Sequence, residues 1–138
     1  EVGCGPGRLL RAASSAGVGD YRVGMDLSPY LLERARRRLG RQARLVHGDG
    51  LAIPSEDAAF DASVASHYVG HLPARMRAAA VSELSRVVRP GGHIFVVDHR
   101  WHPWPEQASL KLIETISHNL GLVTVRVFER LDVQQAPA

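Results

Sequence analysis

Gly3, Gly5 and Gly7 alternate in the opening stretch EVGCGPG, behind an acidic, apolar start and ahead of a helix-forming segment. Glycines at the exit of a strand let backbone pass close to a ligand, and the N–H groups opening the next helix favour an anion, a phosphate or a carboxylate. Asp26 closes the next short apolar run, where an acid can accept both hydroxyls of a ribose. Asp49 closes a third run and is followed by Gly50 and Leu51. Its carboxylate can accept a hydrogen bond from an exocyclic amine such as that of adenine, while Leu27 and Leu51 offer apolar faces to the ring. Each feature alone also suits a plain turn or cap; together they describe a site for an adenosine carrying a small anionic tail. Nicotinamide dinucleotides and S-adenosylmethionine both fit. The dinucleotide pattern G-x-G-x-x-G needs its third glycine where this chain has Arg8, and the spacing here is G-x-G-x-G instead.

Histidines gather behind two further runs: His67 and His71 after FDASVAS, then His99 and His102 after HIFVVD, which itself ends in Asp98. An imidazole with an unperturbed pKa of about 6.5 suits proton transfer near neutrality. His67, His71 and His99 are therefore the candidate bases, against the plainer reading of hydrogen-bonded structural histidines. His67 and His71 also stand at the spacing of a metal pair, but no third ligand follows at a suitable interval, so no metal is expected. Trp101 and Trp104 sit among prolines, as in a substrate-covering loop or as two rings packed on the edge of the fold.

Positioning these groups requires strands that alternate with helices. Glu1-Val2 reads as a strand tail, followed by a helix over residues 7–16. The strand YRVGMD comes next, then the helix SPYLLERARRRL with Ser28 as N-cap and Pro29 at its first position. ARLVHGD is a strand, GLAIPSEDAAF a loop and FDASVAS a strand. Met76, Ala80, Leu84, Val87 and Val88 mark one face of a helix over residues 74–89, which Pro90-Gly91-Gly92 stops. The strand HIFVVD, a last helix over residues 108–120 and the strand VTVRVF complete the order. The predicted fold is α/β and Rossmann-like: a doubly wound, mainly parallel sheet with helices on both faces, its ligand outside the carboxyl ends of the strands.

The totals agree with one such domain. The chain has 138 residues, 45% hydrophobic and 22% charged, with a net charge of +3. No apolar run approaches the roughly 20 residues of a membrane span. Cys4, the sole cysteine, can form no internal disulfide, which suits a reducing cytoplasm. The basic run ERARRRLGRQAR has no aromatic residues between its arginines, so it reads as a solvated helix face rather than a nucleic-acid surface.

The segments EVGCGPG, VGMDLSPYLLERAR, HGDGLAIPSEDAAFD and LSRVVRPGGHIFVVD, in this order, resemble class I S-adenosylmethionine-dependent methyltransferases. They are most similar to the small-molecule branch typified by ubiquinone and menaquinone biosynthesis. The resemblance implies transfer of a methyl group from S-adenosyl-L-methionine to a small-molecule acceptor. It implies that Glu1, Gly3, Gly5 and Gly7 border the methionine end, that Asp26 takes the ribose hydroxyls and that Leu27 lies against the adenine. Asp49, Gly50 and Leu51 would hold the adenine edge and face, with Ser66 and His67 beside the sulfonium. Pro90-Gly91-Gly92 would be architectural. The resemblance also implies a domain truncated at its first strand and incomplete at its last, antiparallel strand, and hence less stable than its parent. A non-catalytic cofactor-binding domain and a nicotinamide oxidoreductase are the competing expectations.

Overall fold

A computed structural model describes residues 1–99, 104–119 and 122–132. Two parallel strands, β1 (Val23–Asp26) and β2 (Arg44–His47), form one half of a sheet. The other half runs in the order β3 (Phe60–Ser66), β4 (Val88–His99), β6 (Val123–Arg130), β5 (Leu110–His118). β3 and β4 are parallel, while β6 is antiparallel to both of its neighbours. Val2 joins the halves through single parallel bridges to Met25 and Ala65. The chain therefore winds outward twice from a switch point at Val2, with Gly3 leaving on the side of the strands' carboxyl ends.

Among the described residues three α-helices cover the sheet: α1 (Arg8–Ser15), α2 (Pro29–Leu39) and α3 (Ala74–Arg86). The Ser28 hydroxyl accepts the Leu31 N–H at 3.3 Å, satisfying one of the free donors at the start of α2. From α3, Val81 and Leu84 enter a core with Val88, Ile94, Val96 and Phe128. Leu10 of α1 meets Leu32, Ala35 and Leu39 of α2 around Cys4 in a second cluster. The arginine-rich face of α2 is solvated, with Glu33 paired to Arg36 at 2.7 Å and Arg37 at 3.1 Å. No helix among the described residues is long and apolar enough to cross a membrane.

The helix expected over residues 108–120 is instead strand β5. Leu110, Ile113 and Ser117 fit a helical face, but Leu110, Leu112, Glu114 and Ile116 also fit a strand, so periodicity alone does not decide. The free edge of β6 does: β5 pairs along it from Leu110↔Arg130 to His118↔Val123, with an irregularity between Leu112 and Glu114. The antiparallel strand of the fold is β6 itself, paired with β4 from His93↔Glu129 to His99↔Val123.

The third helix ends at Arg86, three residues before the expected stop, because Val88 already pairs with Phe60. Pro90-Gly91-Gly92 lies within β4, where the register jumps from Phe60↔Val88 to Ala62↔His93. A Cβ on Gly92 would stand 2.5 Å from the Asp61 carbonyl oxygen and 2.9 Å from that of Arg89. Backbone cannot rotate away as a side chain can. Gly92→Ala should destabilise the fold by about 2 kcal/mol, the scale of core overpacking, read as a lower urea midpoint at unchanged slope.

Candidate functional site

The glycine turn between Val2 and α1 has the geometry its composition demands. Gly3, Gly5 and Gly7 have φ of 70°, 51° and 72°, values that side-chain-bearing residues rarely adopt. Asp26, at the end of β1, fastens this turn: one carboxylate oxygen accepts the Gly5 N–H at 2.8 Å and the other the Ser28 N–H at 2.9 Å. Each oxygen retains a second lone pair for a ligand hydroxyl. Past β2, the Asp49 carboxylate accepts the Leu51 N–H at 3.0 Å and sets the direction of the next turn. These pieces enclose a cavity of about 400 Å³.

Of the expected site residues, Gly3, Gly5, Asp26, Leu27, Asp49, Gly50, Leu51, His67 and His71 line this cavity. Glu1, Gly7, Ser66 and His99 do not. Glu1 faces a separate cavity of about 460 Å³ between the starts of β1 and β3, whose other walls include Leu10, Val18 and Phe60. That cavity is the larger but holds neither the glycine turn nor the two strand-end acids. Burial is the main cause that pushes the Glu1 carboxyl up to about 7, and its Oε2 has no hydrogen-bond partner. Gly7 faces α2, where a Cβ would come 2.7 Å from Leu39 Cδ1. Ser66 ends β3, paired with Val97. Burial pushes the Cys4 thiol up to about 12, so it is an inert packing residue.

The histidines stand at the exits of β3 and β4. His67 has φ of 52°, and its N–H donates to the Val97 carbonyl at 2.7 Å, which turns its exposed side chain toward the cavity. The His99 ring lies behind it, 5.4 Å away between centroids. Asp98 is buried and accepts the Gly70 N–H at 2.5 Å, holding the short 3-10 turn Val69–His71 that carries His71. Among the described residues no three His, Cys, Asp or Glu side chains converge as a metal ion requires. Trp101 and His102 lie outside the described residues. Trp104 stacks on Phe128 with centroids 5.0 Å apart, an edge-packing role rather than a loop over the cavity.

Sequence reasoning passed over Tyr68, Met25, Leu31, Leu72 and Met76, which supply much of the apolar wall. Tyr68 and Leu72 follow directly on the β3 exit that pointed to His67. Leu31 and Met76 come from helix faces that periodicity assigns to packing.

A glycine turn and two strand-end acids at the switch point of a doubly wound sheet define a nucleotide-cofactor-type α/β domain. Residues 1–96 match the family model described as a methyltransferase domain, and the chain belongs to that family. It is 33% identical over 97 residues to the human probable tRNA methyltransferase 9B, covering 70% of this chain and 20% of that protein. Against the demethylmenaquinone methyltransferase of Staphylococcus aureus it is 31% identical over 101 residues, covering 71% of this chain and 41% of the other. The chain thus spans well under half the length of both relatives. A TehB-like SAM-dependent methyltransferase structure from Corynebacterium glutamicum superposes with a TM-score of 0.78 at 24% identity, over 94% of this chain and 78% of that one. That likeness speaks to the fold.

Proposed function

We propose that this chain binds S-adenosyl-L-methionine in the 400 Å³ cavity and serves transfer of its methyl group to a small-molecule acceptor. The observation that carries the reading is the convergence of the glycine turn, Asp26 and Asp49 on one cavity at the switch point. The residues suit the cofactor: two acids that only accept stand where ribose hydroxyls and an adenine amine would donate, and Leu27 is exposed beside them as a face for the ring. Asp26 holds the ribose, Asp49 the adenine edge, Leu27 and Leu51 the ring faces, and the turn from Gly3 to Gly5 the methionine end. Bound there, the cofactor supplies a methyl group on a positively charged sulfur, open to in-line displacement. The chain's share is to hold the partners in line and to exclude water. His67 and His71, which line the cavity, are the groups placed to take a proton where the acceptor carries one.

A small acceptor is favoured over nucleic acid because no aromatic residues stand between the arginines of the run ERARRRLGRQAR as stacking platforms, and several helix arginines have partners on the protein. Arg36 and Arg37 pair with Glu33, Arg11 donates to the Arg38 carbonyl at 3.0 Å, and Arg38 donates to the Pro6 carbonyl. The relative named for menaquinone chemistry supports the same side, and a cytoplasmic location is part of this reading.

Titration calorimetry with S-adenosylhomocysteine, beside NADH, tests the cofactor assignment. Saturable binding of S-adenosylhomocysteine without an NADH signal is expected; the reverse pattern would assign an oxidoreductase. Formation of S-adenosylhomocysteine in a screen of phenol, amine and thiol acceptors, with tRNA alongside, separates a catalyst from a binding module and a small acceptor from RNA.

A further inference from the structure

Tyr68 crosses between the two glycine-containing turns of the cavity. A Cβ on Gly3 would lie 3.1 Å from Tyr68 Cβ and 3.2 Å from Cδ2; a Cβ on Gly50 would lie 2.3 Å from the hydroxyl and 2.6 Å from Cζ. The ring is seated where two residues have no side chain, and its hydroxyl ends against Gly50, on the side of Asp49. That hydroxyl is buried and has no hydrogen-bond partner. Burial first, and the Asp49 charge second, push it up to about 12, so its proton stays in place across the neutral range. It is a neutral donor with nothing to donate to.

We infer that the Tyr68 hydroxyl donates a hydrogen bond to the adenosine half of the bound cofactor. The inference rests on the cofactor reading above and adds a residue to that site. Both acids of the cavity only accept, so they serve the ligand's hydroxyls and amine but none of its acceptor atoms. Adenosine carries such acceptors in its ring nitrogens and ribose oxygens. A lysine or arginine here would be drawn into an ion pair with Asp49 or Asp26, whereas a phenol of raised pKa stays neutral and available. The hydroxyl's place beside Gly50, rather than at the start of α1, selects the adenosine half over the methionine carboxylate.

Tyr68→Phe keeps the ring in its seat and removes only the donor. The expected result is an unchanged or slightly higher melting temperature with about five- to tenfold weaker binding of S-adenosylhomocysteine, the scale of one neutral hydrogen bond. Adenosine, titrated by competition, should lose affinity by the same factor. Wild-type affinity in Tyr68→Phe would overturn the inference, as would a loss confined to S-adenosylhomocysteine and absent for adenosine. A fall in melting temperature large enough to account for the weaker binding would assign Tyr68 to packing instead. Failure of the wild-type chain to bind S-adenosylhomocysteine is a different result, and it overturns the cofactor reading itself.

Discussion

Asp26→Ala will weaken binding of S-adenosylhomocysteine by about 100-fold, the combined loss of two hydrogen bonds to a charged group. Asp26 acts in two directions. Toward the protein it accepts the Gly5 and Ser28 N–H groups, tying the glycine turn to the end of β1. Toward the cavity its remaining lone pairs face where the ribose would lie. The variant loses both sets, so the turn is freed as well as the ribose contact. Asp26→Asn separates the two effects. Its amide keeps one acceptor oxygen for the turn, but its NH2 opposes an N–H that the carboxylate had accepted. Intermediate affinity, with a loss of stability of about 1 kcal/mol from the one N–H left unpaired, is expected for it by calorimetry and thermal melting. Asp26→Ala binding within threefold of wild type would remove the ribose assignment and leave Asp26 as a turn anchor only.

Arg86→Ala is expected to give the largest loss of stability, about 3 kcal/mol, near the scale for breaking a shielded ion pair with additional hydrogen bonds. The guanidinium donates to the Ser55 carbonyl at 2.8 Å, the Ile53 carbonyl at 2.9 Å, Asp57 at 2.8 Å and both Glu83 oxygens at 2.7 and 2.8 Å. Glu83 in turn accepts the Ile53 N–H at 2.8 Å. One arginine thus straps the 53–57 loop to α3 by its own backbone, and that loop continues from the turn bearing Asp49 and Leu51. Arg86 is 30% and Glu83 19% exposed at the side chain, so water screens the pair only in part. Arg86 holds the Glu83 carboxyl below its usual 4.5. A carboxyl lowered in the folded state adds stability above its ordinary pKa and loses it as pH falls through the lowered value. Urea denaturation should therefore show a full difference between wild type and Arg86→Ala at pH 7 that narrows below pH 4.5. A difference that stays constant with pH would mean that Glu83 takes no part in the strap.

Much of the architecture was legible because it rests on local chemistry. Ser28-Pro29 starts a helix wherever it stands, since a hydroxyl cap and a missing N–H both suit a first turn. The glycines of EVGCGPG mark left-handed backbone, and Gly3, Gly5 and Gly7 adopt it. The segment 108–120 was not legible, because its apolar residues satisfy two periods and the choice fell to the hydrogen-bonding edge of β6. Within the glycine turn, composition could not tell which glycine faces the cavity. Gly3 and Gly5 line it, while Gly7 makes room for Leu39 of α2, a partner 32 residues away.

The sequence by itself therefore determined the strand-and-helix order through β4, the turn that opens α1, and the acids at the ends of β1 and β2. Each of these follows from a residue's own conformational preference or that of its near neighbours. The tertiary structure alone decided that β5 is a strand, that Glu1 lines a cavity other than the one bounded by Asp26, and that the Tyr68 hydroxyl lies buried against Gly50. Those outcomes depend on which backbone edge is left open and which side chains are absent across a gap, and such facts exist only once distant segments have met.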